Sequence, residues 1–594
     1  MGYSYGYGFG HTWRGKRRNI GALSGNGASM LAGETDGFAT NFTWPIDAER
    51  VAVKSAGVAL SQKLDEFYLN SGTSPKMVYD VAGTLGWSPH NYSRQSQGFN
   101  SIWALENVTV VADTVVAPDG TMTADKLVEN SATGSHDVQM GGSTAVNGMM
   151  AVYAKAAGRS RILLYDSTGF GYGFDLTTGT TFVVSGITPS STVTIQDAGN
   201  GWWRCIIPSV AALGPSVYIV TGTIYSYAGD GASGVYLWGA QLNRGPVLLA
   251  YLPTTTAARF GLALDYDPVT HASKGLFIEQ AATNLCLQSA GGRIGQEFTG
   301  NGSTRTGGQP DPSGGNEALL VVVTSNSAGI NAVRSVTQVN ATQYTASMWC
   351  KGTAGQQIYF DGASTVTASQ VLVTFTGAWQ RVSSTYTSAS TSDFMGFECY
   401  NRGGGAHLPA VTFQCWGGQL ETGTLPTSYI PTIAASATRA GDNYYFPLVI
   451  IPPLGTTYSM YCRFAVPLAN NVRFAFVLTD GTTAEYVGYR SSTGILLQII
   501  DNGVSQGALA QGTMPANTFL SAASRIKASD FASSVDGLTA QTSATGTLPT
   551  VTEARLSGRD GSNGQALQSF NIAKVAVITS RGWRNSELKD KSAS

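Results

Sequence analysis

The sequence predicts an all-β chain of tandem antiparallel sandwiches behind an extended N-terminal segment, and three observations carry that prediction. Only 12% of the 594 residues are charged while 72 are glycine, about half the usual charge with well above the usual glycine. That composition suits short strands joined by tight turns rather than long helices. Alternating β-branched and aromatic runs recur, as in "YIVTGTIYSYAG", "ALLVVVT", "QVLVTFTG" and "AVTFQCW", with no helical period between them, which favours antiparallel sandwiches over a doubly wound sheet. The chain also repeats itself: "VYLWGAQLNRGPVLLAYLPT" (Val235–Thr254) returns as "FQCWGGQLETGTLPTSYIPT" (Phe413–Thr432).

The elements follow in order. Residues 1–89 form an N-terminal attachment segment. Its first part is rich in Gly and Tyr and ends in a basic run, Arg14, Lys16, Arg17 and Arg18, which reads as an arm laid on an acidic surface of another protein and ordered there. From Asp47, "DAERVAVKSAGVALSQKLDEFYLN" fits either a helix or two strands at "RVAV" and "GVAL"; short apolar runs do not separate the two. Residues 90–258 and 282–438 are sibling sandwiches. Besides the Trp-Gly-x-Gln-Leu stretch, "PHNYSRQS" matches "ATNLCLQS", "AVYAKAAGRSRILLYD" matches "SMWCKGTAGQQIYFDG", and "GNGWWRCII" matches "TGAWQRVSS", all in the same order. Trp202, Trp238, Gln241, Trp379, Trp416 and Gln419 are therefore the expected structural core of the repeat. Residues 259–281 form a linker with one short strand, "KGLFIEQ". Residues 439–594 form a third, different sandwich, closed by the short helical stretch "WRNSELKDKSAS".

A net charge of −1 gives no global field for nucleic acid or an anionic membrane, so nucleic acid is not an expected partner. No apolar run is long enough to span a bilayer, and the N-terminus lacks the order of a secretory signal; folding in a cytoplasm is expected. Six scattered cysteines read as buried thiols.

Motifs for catalysis, nucleotides or metals (His-Glu-x-x-His, a Walker loop, Cys-x-x-Cys) are missing from the sequence. The expectation is a non-enzymatic protein without cofactor or metal. Asp265, Asp267 and Glu279 could be drawn as a carboxylate pair or as cation ligands. Exposed aromatics are the more credible ligand contacts, because sugars stack C–H faces on such rings. Trp202 and Trp203 are adjacent and point to opposite faces of a strand. The sibling pair Trp379-Gln380 assigns Trp202 to the core and Trp203 to the surface, as a glycan platform. Tyr225 and Tyr227, in "YSYAGDGASG", sit on a candidate binding or subunit-contact loop.

At "SPKMVYDVAGTLGWSPHN", "PDGTMTADKLVENSATGSH", "GDGASGVYLWGAQL" and "DYDPVTHASKGLFIEQAATNL" the chain resembles a family of bacteriophage head-spike, head-fibre and tail-fibre proteins. The resemblance covers roughly residues 74–442 and departs at "YSRQSQGF" and "NLCLQSAGG". It implies carbohydrate-binding-like, jelly-roll-like sandwiches followed by a concanavalin-like (laminin-G-type) domain, a homotrimer, attachment to capsid, portal, adaptor or tail proteins of the virion, and contact with host surface glycans. The competing expectations are a tail-associated polysaccharide depolymerase and an inert decoration protein.

Overall fold

The computed structural model describes residues 37–41, 50–55, 58–63, 69–70 and 74–593, except 141–145, 213, 294, 296, 327–330, 449–452, 468–472, 492, 557, 559–568 and 580. The basic run Arg14, Lys16, Arg17 and Arg18 lies outside them. The described residues are all-β apart from short helical turns and the terminal helix Asn585–Ser592, and their sheets pair into several sandwiches. "RVAV" and the Val-Ala-Leu of "GVAL" lie on two strands, Arg50–Ser55 and Val58–Lys63, paired antiparallel. Among the described residues no helix is long and apolar enough to cross a membrane.

The first module packs two sheets around a core that includes Leu127, Val152, Leu164, Phe174, Val217 and Leu237. One sheet runs in the order 194–199, 202–212, 146–157, 234–244, 124–129, 108–115; the other runs 180–182, 170–175, 161–165, 216–219, 137–140, 103–106. The second module repeats this order with 380–387, 343–352, 412–422, 318–323, 303–309 opposite 370–374, 357–361, 392–398, 332–337. Its core includes Leu319, Met348, Phe360, Phe397 and Phe413.

The Trp-Gly-x-Gln-Leu repeat is a β-bulge followed by a latch. On the ladder, Tyr153 faces Trp238 and Ala151 faces Gln241, so the closing strand carries one extra residue; Trp349, Trp416, Ser347 and Gln419 repeat the shift. The bulge falls on glycine because φ is +65° at Gly239 and +72° at Gly417, and a Cβ there would lie 2.8 Å from Tyr153 or 2.7 Å from Trp349. Past the bulge, the Gln419 amide donates to the Thr427 and Ser428 carbonyls, both at 3.2 Å, and accepts from Ile430 N–H at 2.7 Å. Gln241 does the same with Leu249, Ala250 and Leu252. Asn91 and Asn284 tie the opening strand to this latch. Asn284 Nδ2 donates to the Gly418 and Ile430 carbonyls and its Oδ1 accepts from Leu420 N–H; Asn91 matches it bond for bond.

The repeated tryptophans are buried, but on the outer side of their sheet. Trp202 and Trp238 pack with Ala117, Ala124 and Tyr251, and the Trp202 indole donates to the Val116 carbonyl at 3.1 Å. In the second module Trp349, Trp416, Tyr429 and the half-buried Trp379 lie against Met77, Tyr79, Leu85 and Trp87 of the hairpin Met77–Tyr79/Leu85–Trp87.

The terminal sandwich draws on three stretches of chain, which differs from the expected linear order. Strand Phe570–Ile578 pairs with Gly37–Asn41, with Ser273–Ile278 and with Thr457–Ala465. The second sheet holds Leu69–Asn70, Tyr444–Pro447, Glu553–Arg555, Arg473–Thr479 and the strands that follow. Leu276 and Ile278 join Phe446, Phe476, Leu497 and Val577 in its core. The stretch expected as a linker at 259–281 therefore supplies a strand of this sandwich, as does part of the expected attachment segment. Each sibling module is an insertion whose ends meet. His90–Asn91 pairs with Arg259–Phe260, and Ala282–Asn284 pairs with Ala437–Arg439.

Buried charges hold the second insertion in place. Glu279 pairs with Arg439 at 2.8 Å and accepts from Ser428 N–H and Oγ–H, both at 2.6 Å. Lys76, only 2% exposed, donates to Asp442 and to the Phe277 carbonyl, both at 2.5 Å. Such pairs do little for net stability, but removing one partner is expensive, so they fix geometry. Asp265 fits the same pattern: it accepts from Tyr79 N–H at 3.1 Å, lies 3.7 Å from Lys274, and burial raises its carboxyl above the usual range.

Candidate functional site

The outer face of the second sheet of the first module is a tyrosine-lined surface. Along strand Arg161–Tyr165, Ile162 and Leu164 enter the core, which turns Leu163 and Tyr165 outward. On the neighbouring strand Val217 and Ile219 are core, so Tyr218 points out, opposite Leu163. Tyr165 and Tyr218 meet edge to face with centroids 5.9 Å apart, and Tyr225 adds a third ring 5.6 Å from Tyr218. All three are half-buried. Val184, Val220, Ile187 and Phe182 fill the space between them.

Polar groups frame the rings. Gln139 donates to the Tyr218 hydroxyl at 3.0 Å and to the fully buried Asp137 at 2.7 Å. Burial raises the carboxyl of Asp137 and the phenol of Tyr218, the latter further through the Asp137 charge. At the far edge Arg161 stands 4.9 Å from the Phe182 ring and pairs with Asp175 at 2.8 Å. This is a surface of ring edges and an oriented hydroxyl, suited to a flat polyhydroxylated ligand.

The residues singled out in sequence distribute unevenly over it. Tyr225 belongs to the surface. Tyr227 does not: its hydroxyl donates to Glu129 at 2.6 Å, and its ring lies 5.2 Å from Arg159 and 4.7 Å from His136. Burial opposes ionisation of Glu129, but the bonds from Arg159 and Tyr227 outweigh it and hold the carboxyl below its usual range. Trp203 is half-buried against the inter-sheet core, its indole donating to the Leu176 carbonyl at 2.8 Å and its ring against Gly179. The adjacent pair does face opposite ways, but Trp202 takes the outer side under its cap and Trp203 the inner side. Tyr165, Tyr218 and Gln139 were missed in sequence; strand alternation marks each as outward only once its strand is known to face a core.

The sibling module carries different chemistry at the same rungs. Asp361 faces Gly396 where Tyr165 faces Ser216, and Tyr359 faces Glu398 where Leu163 faces Tyr218. Arg402 bridges the two carboxylates, its Nε 2.6 Å from Asp361 and 2.7 Å from Glu398, and Gln370 donates to Glu398 at 2.8 Å. Burial, then the neighbouring Asp361, pushes the Glu398 carboxyl well up. Here the module's own arginine occupies the face. Among the described residues no group of His, Cys, Asp or Glu could hold a metal ion, and all six cysteines are buried free thiols.

No protein-family model and no curated protein matches the chain. Among solved structures it is similar to the tandem CBM22-1–CBM22-2 domain of Paenibacillus barcinonensis Xyn10C, at 12% identity over 57% of this chain and 98% of that one, with a TM-score of 0.20. It is similar to mouse laminin alpha1 domains LG4-5 at 13% identity over 43% and 87%, TM-score 0.17, and to Trypanosoma rangeli sialidase at 10% identity over 91% and 67%, TM-score 0.19. Similarity this distant assigns no function.

Proposed function

We propose that the chain is a non-enzymatic fibre or spike subunit of a bacteriophage virion, on head or tail, that contacts host surface glycans through the Tyr165–Tyr218–Tyr225 face. That face is the observation that carries the reading. It combines aromatic edges with a hydroxyl oriented by Gln139, the mixture that sugar rings and their hydroxyls use. The sequence resemblance supports the virion assignment, with jelly-roll-like modules, a concanavalin-like terminal domain, a trimeric assembly and anchoring through Arg14, Lys16, Arg17 and Arg18 to capsid, portal, adaptor or tail proteins. Several weak faces in an oligomer add up to firm attachment. A glycan array probed with the full chain and with Tyr165→Ala/Tyr218→Ala tests this. Binding should fall at least tenfold in the variant. Unchanged binding overturns the site, and release of reducing ends from host polysaccharide by the wild-type chain overturns the non-enzymatic assignment.

A further inference from the structure

The first module's other sheet, the one that carries Trp202 and Trp238, presents cations and rings on its outer face. Lys126, Tyr236 and Lys155 share one rung across three adjacent strands. Their neighbours Leu127, Val235, Leu237 and Ala154 enter the core, so all three side chains point outward, and all are half-buried. The next row of the same face is Trp238, Tyr153 and Arg204. Arg204 lies 5.3 Å from the Tyr153 ring and donates to the Leu249 carbonyl at 3.1 Å, while its Nε is buried without an acceptor. Lys126 donates to the Ala232 carbonyl at 3.5 Å. Among the described residues none of these three cations forms an ion pair. Asp119, whose charge reaches Tyr251 in the same cluster, is engaged by Thr121.

The sibling module neutralises the same face from within. Its second row is Trp416, Trp349 and Arg381, with Arg381 4.3 Å from the Trp349 ring. There the carboxylates of Glu421 and Glu279 act on the guanidinium, and Ser347 accepts from it at 2.9 Å. At the matching rungs the first module has Asn243 for Glu421 and Ala151 for Ser347. The first row differs as well: Leu320, Gln414 and Lys351 stand where the first module has Lys126, Tyr236 and Lys155.

We propose that this face binds the carboxylates of a uronic-acid polysaccharide, one held by Arg204 and Lys155 and the next by Lys126, with Tyr236 meeting the sugar ring between them. A bound carboxylate gives Arg204 what Glu421 gives Arg381, through charge-assisted bonds. Side chains on neighbouring strands start about 5 Å apart, so the two lysines stand roughly 10 Å apart across the tyrosine. Base stacking needs open ring faces, whereas Trp238 is buried and Arg204 lies over Tyr153; this favours a sugar chain over a single-stranded nucleic acid. The site lies on the opposite sheet from the tyrosine face and does not rest on it.

Calorimetric titration of the full chain with a galacturonic acid hexasaccharide, its carboxyl-reduced neutral counterpart and a thymidine oligonucleotide tests the proposal. The acidic hexasaccharide should bind at least tenfold more tightly than either of the others and weaken as salt rises. Lys126→Leu/Tyr236→Gln installs the residues that the sibling carries on the same rungs, so the fold accommodates it, and it should lose at least tenfold in affinity. Lys126→Arg keeps the charge and should stay within a few-fold of wild type, as should Tyr165→Ala/Tyr218→Ala. No binding of the acidic sugar, equal binding of its neutral counterpart, an oligonucleotide that binds as tightly, or unchanged affinity in Lys126→Leu/Tyr236→Gln would each overturn the site. So would a tenfold loss in Lys126→Arg or in Tyr165→Ala/Tyr218→Ala.

Discussion

Gln419→Ala removes the amide that closes the second module. In the native latch that side chain donates to Glu421 at 2.7 Å and to the Thr427 and Ser428 carbonyls at 3.2 Å, and accepts from Ile430 N–H at 2.7 Å. A typical bond contributes about 1 kcal/mol net, and each buried group left without a partner costs about 1–3 kcal/mol. With the Ile430 N–H and at least one carbonyl orphaned, the loss comes to about 3–5 kcal/mol. At about 1.4 kcal/mol per decade, that lowers local amide protection by roughly a hundred- to three-thousand-fold. Native-state hydrogen exchange is the right assay, because a chain of several domains has no single unfolding transition. The amides of Leu420 and Ile430 should lose protection while those of Leu242 and Leu252 in the sibling keep theirs; Gln241→Ala should give the mirror result. A fall of less than about tenfold, or an equal fall in both modules, would refute the idea that each repeat is latched by its own glutamine.

Other perturbations follow from the same packing. Lys76→Met strands the Asp442 carboxylate and should destabilise its surroundings by about 3–5 kcal/mol, read as faster exchange at residues 440–446; adding Asp442→Asn should recover much of the loss. The Glu398 carboxyl is raised by burial and Asp361, so the folded state holds that proton more tightly than the unfolded chain. Its contribution is full below the unfolded value and is lost as pH rises through the folded one. Exchange protection of strand Gln357–Asp361 should therefore fall as pH is raised from mildly acid to mildly alkaline, after correction for intrinsic rates, and Glu398→Gln should flatten that slope. Excising residues 89–261 and joining Ser88 to Leu262 should leave the rest folded, because Gly261 N–H bonds to the Pro89 carbonyl at 2.7 Å and the cut ends lie together; loss of the native circular dichroism of the remaining sheets would contradict the inserted arrangement.

Local chemistry made the all-β class and the duplication legible. Alternation, β-branched residues and turn glycines act over a few positions, and the bulge at Gly239 and Gly417 leaves a visible Trp-Gly signature in both copies. The terminal sandwich was not legible, because pairing Ser273–Ile278 with Phe570–Ile578 joins segments nearly 300 residues apart, and nothing in either strand names its partner. Trp202 and Trp203 show the same divide. Their opposite orientation follows from strand geometry, but which side is covered depends on a cap at Val116 and a turn at Gly179. The tyrosine face needed three separate strands and a loop brought to one surface, so only Tyr225 was singled out in advance.

The first module is proposed to meet sugar through Tyr165, Tyr218 and Tyr225. Calorimetric titration of the full chain with purified host surface polysaccharide, comparing wild type with Tyr218→Phe and Tyr218→Ala, examines it most directly. Tyr218→Phe keeps the ring and should lose a few-fold in affinity with the hydroxyl, whereas Tyr218→Ala should lose at least tenfold. Identical affinities for all three proteins, or no heat from the wild type, would contradict it.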